Sequence, residues 1–324
     1  MDITELSFGI AIVMQFSIGV SVNVFVFLFY AQIISTSYKA SFSDLILAHL
    51  AFANTTVLLT RGIPDILSVW GLRNFLDAAG CKVVFYVFRV ARGLSICTTC
   101  LLSVFQAVTI SPGTSWWAGI KTKLPKYIMP SLVIFWILNM LTDLNMLILV
   151  TGPQNSGNAH THQDMKFCSM VNSSAQTSLI FSIVLSLRDL FFVGLMSVAS
   201  SYMVFVLHRH HRRVRHLHGP GRSPRVMPEV QAAKRVIALV ALYIILYGRQ
   251  TVMLNIILNR KEKSPLLVDS HRVLSFTFSA ISPFLMIYND RRMRTFWKRD
   301  SLVSQTGTLL RTQGKAITLN LLSH

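Results

Sequence analysis

Apolar residues fall into seven long blocks along the chain, separated by short polar and basic segments. The blocks cover residues 8–30, 43–64, 81–110, 127–150, 178–207, 234–258 and 273–288. A helix needs about 20 apolar residues to cross a bilayer, and the last block lies near the lower limit. Because backbone groups in lipid must be hydrogen-bonded within the protein, blocks of this length are expected to be helices. The pattern predicts an all-α membrane protein, a seven-transmembrane helix bundle.

Basic residues lie mostly between the blocks, and they predict how the bundle is oriented. If the N-terminus is outside, the connecting segments and tail on the inner side hold nineteen Lys and Arg, against six on the outer side. Cytoplasmic segments of membrane proteins are enriched in these residues. We therefore expect an extracellular N-terminus at residues 1–7, a transmembrane domain at residues 8–288 and a cytoplasmic tail at residues 289–324.

Composition agrees with a membrane location. Hydrophobic residues make up 52% of the chain and charged residues 14%, where soluble domains carry roughly 25%. A net charge of +18 in a soluble protein would suggest a nucleic-acid partner. Here membrane topology explains the charge, and no nucleic-acid partner is expected. The basic segment at residues 208–225 predicts a cytoplasmic loop that contacts anionic membrane lipid or an acidic protein.

Two of the four cysteines, Cys81 and Cys168, fall on the predicted outer side, where oxidising conditions favour a disulfide between them. Cys97 and Cys100 lie inside the third block, and no further Cys or His ligand is evident at their depth. A structural zinc site needs four such ligands, so no metal is expected. Asn172 begins an Asn-Ser-Ser glycosylation sequon on the outer side.

Charged residues inside membrane helices are costly and are therefore candidates for function. The third block carries Arg89 and Arg92, which lie roughly 12 Å and 16 Å below Cys81 on one helix face. One interpretation is that an arginine pairs with Asp143 or Asp189 and holds the bundle together. The other is that both line an electropositive cavity, open to the outside, for a small molecule that can be anionic. The two can coexist because a guanidinium has five donors.

Motifs of enzymes are missing from the sequence. It has no HExxH, no GxSxG and no phosphate-binding loop, so no catalytic residue and no cofactor are expected. The alternative function is a membrane transporter or channel for a small solute. Many transporters are built from internal repeats, and no repeat is visible in this chain.

Several stretches together resemble vomeronasal type-1 receptors. They are HLAFANTTVLLTRGIP, CKVVFYVFRVARGLSICTTCLLSVFQAVTISP, KTKLPKYIMPSLVIFWILNMLTDLNM, HRHHRRVRHLHGPGRSPRVMPE and AISPFLMIY, and the resemblance runs from about residue 23 to residue 288. It implies a multi-pass plasma-membrane receptor that binds a pheromone or another small chemosignal and couples to an inhibitory-class G protein. The expected pocket lies among the outer halves of the third, fifth and sixth helices.

The resemblance gives the charged residues candidate roles. The ligand-binding candidates are Arg89, Arg92, Arg188 and Arg249, and the candidate G-protein contacts are Lys121, Lys123, Arg212 and Arg213. Counted back from Pro112, the slot that holds Asp/Glu-Arg-Tyr in most rhodopsin-like receptors holds residues 104–106, Val-Phe-Gln. The ionic lock that these receptors build at that slot is therefore not expected here.

Overall fold

A computed structural model describes residues 3–36, 41–72, 75–112, 115–152, 162–165, 168–171, 175–217, 228–259, 265–288, 290 and 292–293. Its elements in chain order are α1 (Ile3–Thr36), α2 (Phe42–Val69), α3 (Ala78–Ile110), α4 (Ser115–Thr142), α5 (Met146–Leu149), β1 (Val150–Thr151), β2 (His162–Met165), β3 (Cys168–Val171), α6 (Ala175–Leu217), α7 (Pro228–Asn259), α8 (Pro265–Ser275) and α9 (Thr277–Tyr288).

Within these described ranges six helices are long and apolar enough to cross a membrane, namely α1, α2, α3, α4, α6 and α7. The shorter apolar helix α9 follows α8 after the single turn residue Phe276, and we refer to the two helices together as the seventh span. The predicted helical membrane bundle is confirmed. The seventh predicted block, residues 273–288, contains the whole of α9, and the more polar helix α8 begins before it.

The fifth span also differs from its predicted extent. Helix α6 does not end near residue 207 but continues through Leu217, into the segment predicted to be a loop. Residues 208–217 contain neither glycine nor proline, and their arginines, leucine and histidines are all compatible with a helix. The first glycine and proline follow at positions 219 and 220.

Side-chain caps fix where two of the helices begin. The Ser41 backbone N–H donates to Asp44 Oδ2 at 3.0 Å, half of a capping box at the start of α2. The Gly80 N–H donates to Asp77 Oδ1 at 2.7 Å at the start of α3. These bonds satisfy donors that a helix N-terminus would otherwise leave without partners.

Helix α3 lies at the centre of the bundle and contacts α2, α4, α6 and α7. Of the 18 residues in the most apolar part of α3, 78% are buried. The corresponding share for α1 is 22%, so α1 faces outward along most of its length. Small residues make this central position possible, since they let neighbouring helices approach closely. The buried small residues of α3 are Ala91, Gly93, Ser95, Cys97, Thr98, Thr99, Cys100, Ser103 and Ala107.

One end of the bundle carries a disulfide between Cys81, at the start of α3, and Cys168 of β3. Strand β3 pairs antiparallel with both β1 and β2, so a small three-stranded sheet is tied to α3 at this point. We call this the disulfide end of the bundle. At the other end of the bundle α1 and α3 finish and α2 and α7 begin. We call it the opposite end. The predicted disulfide is present.

Candidate functional site

Charged residues from α3, from α6 and from the turn after α4 meet in the half of the bundle nearer the disulfide end. Arg89 of α3 places its Nε 3.1 Å from Oδ1 of Asp143, in the turn that follows α4. Arg188 of α6 places Nη1 2.9 Å from the other oxygen, Oδ2. The same guanidinium lies 3.0 Å from Asp189 Oδ1 through Nη2. The residues Arg89, Asp143, Arg188 and Asp189 form what we call the ion network.

Asp143 is the centre of the ion network, and its side chain is fully buried. Each carboxylate oxygen faces a different arginine, so the carboxylate joins α3 to α6. Nη1 of Arg188 also donates to Asn139 Oδ1 at 3.1 Å and to Thr142 Oγ1 at 3.0 Å. A buried charge is tolerated when it is paired and its remaining hydrogen-bonding groups have partners, as they do here. Arg89 and Arg188 therefore pair with carboxylates.

Arg92 differs from both arginines of the ion network. It lies about one turn beyond Arg89 on α3 and is half-buried. Within the described residues no carboxylate lies at ion-pair distance from its guanidinium. The sequence left open whether these arginines pair with a carboxylate or line a cavity. Arg89 pairs with Asp143, and Arg92 does not.

A small cavity of about 30 Å³ borders Arg92. Its walls come from α2, α3, α7 and the seventh span, and it is lined by Val57, Arg92, Ser95, Ile96, Tyr243, Leu246, Tyr247, Leu274, Ser275, Phe278 and Ser279. A volume of this size holds about one water molecule. A larger ligand can enter only if side chains on its walls move.

Aromatic rings form the wall of this cavity that faces α7 and α9. Tyr243 lies edge-on against Phe278 with ring centroids 5.0 Å apart, and it stacks on Tyr247 at 5.8 Å. The sequence patterns assign no role to these three residues. The spacing of the two tyrosines, four residues apart, does indicate that both lie on one face of α7. The cavity combines one guanidinium with an aromatic surface.

Arg249 does not join the other three arginines that were predicted to bind ligand. It is exposed on α7 and does not line the cavity. Arg249 follows Tyr247 by two residues, which is about 200° around the helix. It therefore points away from the face that carries the tyrosines. The structure brings Arg89 and Arg188 into the ion network, puts Arg92 on the cavity and leaves Arg249 apart.

Polar side chains link α2, α3 and α9 near the middle of the bundle. Asn54 donates to Ser282 Oγ at 2.9 Å and accepts a hydrogen bond from Ser95 Oγ at 2.8 Å. All three side chains are buried. Ser95 also lines the cavity beside Arg92, so this chain of bonds leads from the cavity wall into the seventh span.

The candidate G-protein contacts at the opposite end differ in their surroundings. Lys121 is half-buried and donates to the backbone oxygen of Ser111 at 2.6 Å, at the residue that ends α3. Lys123 and Arg212 are exposed. The side chain of Arg213 and the whole of the predicted glycosylation site Asn172 lie outside the described residues.

Comparison with known proteins adds to this geometry. The vomeronasal organ pheromone receptor family matches residues 6–299. Olfactory receptor class A-like protein 1 of Danio rerio is 34% identical to the chain, over 91% of the chain and 92% of that protein. Vomeronasal type-1 receptor 4 of Homo sapiens is 36% identical, over 89% of the chain and 97% of that protein. Vomeronasal type-1 receptor 3 of Homo sapiens is also 36% identical, over 89% of the chain and 93% of that protein.

Proposed function

The chain belongs to the vomeronasal organ pheromone receptor family, whose type-1 receptors are multi-pass membrane proteins coupled to G proteins and are not enzymes. From this premise we propose that it binds a small anionic chemosignal beside Arg92 and activates an inhibitory-class G protein. In the proposed orientation the disulfide end is extracellular, as the distribution of Lys and Arg between the connecting segments favours.

The observation that carries the proposal is the uncompensated charge of Arg92. Asp143 and Asp189 balance the two arginines of the ion network. Within the described residues no such carboxylate balances Arg92, which also borders a cavity. A charge in a medium of low dielectric strongly favours a partner of opposite sign. A guanidinium binds carboxylate, sulfate or phosphate through two parallel hydrogen bonds.

The aromatic wall supports a ligand with an apolar body. Binding sites for small molecules are mostly apolar, with few polar groups to orient the ligand. Tyr243, Tyr247 and Phe278 offer such a surface next to the single charge of Arg92. The ligand would therefore carry one anionic group on a flat or compact apolar body.

The small volume of the cavity supports a link between binding and signalling. A ligand must displace the tyrosine side chains of α7 to fit, and it therefore binds best when α7 has moved. Such a ligand shifts the population of receptor states by its higher affinity for one of them. At the opposite end the exposed Lys123 and Arg212, with Lys121 and Arg213 near them in sequence, would meet the G protein.

The proposal is tested by reconstituting the full chain in lipid nanodiscs with an inhibitory-class G protein. The probes are pairs of apolar compounds, each pair being a sulfate or carboxylate and its uncharged parent alcohol. We expect anionic members to drive nucleotide exchange at lower concentrations than their parents. If no compound drives exchange, and compounds instead cross liposomes that contain the protein, the chain acts as a transporter and the proposal is wrong.

A further inference from the structure

The opposite end of the bundle contains a much larger cavity, of about 450 Å³. It lies between α2, α3 and α7, and its lining includes two carboxylates and two arginines: Asp44, Arg235, Asp290 and Arg292. Together with Tyr30 of α1 we call these residues the terminal cluster. The cluster joins α1, α2 and α7 to the chain that follows α9.

Asp290 is firmly held on the side of α1 and α2. Tyr30 donates its hydroxyl to Asp290 Oδ2 at 3.0 Å, and the Arg292 backbone N–H donates to Oδ1 at 2.8 Å. The Arg292 guanidinium in turn binds both oxygens of Asp44, at 3.1 and 2.5 Å. This two-point contact raises the pKa of Arg292 above its usual range. The end of the seventh span is thus fastened to the first two helices.

The contact of Asp290 with α7 is much weaker. Nη1 of Arg235 lies 3.6 Å from Asp290 Oδ2, which is an ion pair but too long for a hydrogen bond. Nε of Arg235 is buried and has no hydrogen-bond partner among the described residues. Arg235 also borders the large cavity, so α7 has open space beside it. If the terminal cluster separates, it separates between Arg235 and Asp290.

Among the described residues, no hydrogen bond or ion pair joins α3 to α7 at this end. The slot at residues 104–106 contains no arginine, and the side chain of Gln106 donates instead to Ser43 Oγ, 3.2 Å away, at the start of α2. In the described part of the chain, Arg235–Asp290 is the ion pair that connects α7 to another element. The ion pair of α7 at this end is therefore with the chain that follows the seventh span.

We propose that the Arg235–Asp290 ion pair is a latch that keeps the receptor inactive by tying the start of α7 to Asp290 and, through Asp290, to the first two helices. This proposal rests on the proposed function, since it concerns the control of G-protein activation. When α7 moves, the latch opens on the Arg235 side, Asp290 stays with α1 and α2, and the large cavity widens toward the G protein.

Basal signalling tests the latch. The full-length receptor and its variants are placed in nanodiscs without ligand. The rate at which each drives nucleotide exchange on an inhibitory-class G protein is then compared. Arg235→Gln should raise the basal rate about fivefold or more. Asp290→Asn should also raise it, and the double variant should exceed neither single variant by much, because both remove the same contact. Lys234→Gln is the matched control, since it removes the same charge from an exposed neighbour on α7 and should change little.

A distance measurement tests the latch without a G protein. Nitroxide labels on Thr36→Cys and Lys234→Cys, both exposed positions at the opposite end, report the separation of α1 and α7 by pulsed electron spin resonance. Arg235→Gln should shift the distances to longer values, and Arg209→Gln, an exposed charge on α6, should not. If Arg235→Gln does not fold, Arg235→Lys replaces it and should widen the distribution of distances.

The outcomes separate the two proposals. Unchanged distances in a folded Arg235 variant overturn the latch. A basal rate equal to that of Lys234→Gln also overturns it, provided that a ligand drives nucleotide exchange in the parent receptor. Longer distances without any nucleotide exchange leave the latch standing and contradict the proposed function. Normal ligand-driven exchange with unchanged distances contradicts the latch alone.

Discussion

Gly93 of α3 lies directly against the side chain of Asn139 on α4, so close that a Cβ atom at position 93 would overlap Asn139 Oδ1. That oxygen accepts a hydrogen bond from Arg188, so the close approach of α3 and α4 also positions the ion network. The position between Arg92 and Leu94 thus requires a residue without a side chain.

Gly93→Ala should therefore destabilise the receptor, although alanine is the better helix former. Overpacking of this kind costs about 1–3 kcal/mol, and we expect a lower midpoint of thermal unfolding in detergent. Gly194→Ala on α6 is the control, because a Cβ there meets no atom within 4 Å. Equal midpoints of thermal unfolding for Gly93→Ala and Gly194→Ala would contradict this, because they would mean that α3 and α4 can move apart to accept the added methyl group.

Asp143→Asn should be among the most damaging single substitutions in the bundle. It removes one charge that faces two arginines, and breaking a buried ion pair costs about 3–5 kcal/mol. Asp189→Asn should cost less, since among the described residues Asp189 pairs with Arg188 alone, and its side chain is 13% exposed. The fraction of each variant that reaches the cell surface, measured beside its thermal midpoint, checks this order. A milder effect of Asp143→Asn than of Asp189→Asn would show that the ion network is not centred on Asp143.

Loss of the disulfide should loosen the sheet at the disulfide end. Cys81→Ser and Cys168→Ser should each lower stability by about 2–5 kcal/mol. The double variant should match the single ones, because all three lack the same bond. Unfolding in urea with and without a reducing agent measures this, and reduction should affect only the parent protein. Additive losses in the double variant would indicate that the two cysteines act separately.

Much of the fold could be predicted from the sequence, because lipid imposes both the length and the composition of a spanning helix. Apolar blocks predict seven spans, and the disulfide follows from two cysteines on one predicted side. The short apolar helix α9 lies within the seventh predicted block. The polar residues of α8 resemble a connecting loop, although they are helical as far as the turn residue Phe276.

The candidate site was harder to predict, since it depends on how neighbouring helices are rotated against one another. Helical periodicity places Arg89 and Arg92 on one face of α3, but Arg89 pairs with Asp143, and one turn further on Arg92 has no carboxylate partner in the described part of the chain. Which of them reaches Asp143 depends on where α4 ends relative to α3. The aromatic wall was missed for the same reason, as Tyr243 and Phe278 meet across two helices.

The charge of Arg92 is the centre of the proposed function, and Arg92→Gln tests it in pairs of anionic and neutral agonists. The potency of the anionic agonist should fall at least tenfold, about 1.4 kcal/mol, while that of its uncharged parent changes little. Lys82→Gln, which removes a charge near the start of α3 away from the cavity, should leave both potencies unchanged. Equal losses of potency for the anionic and the neutral agonist in Arg92→Gln would contradict recognition of an anion by this residue.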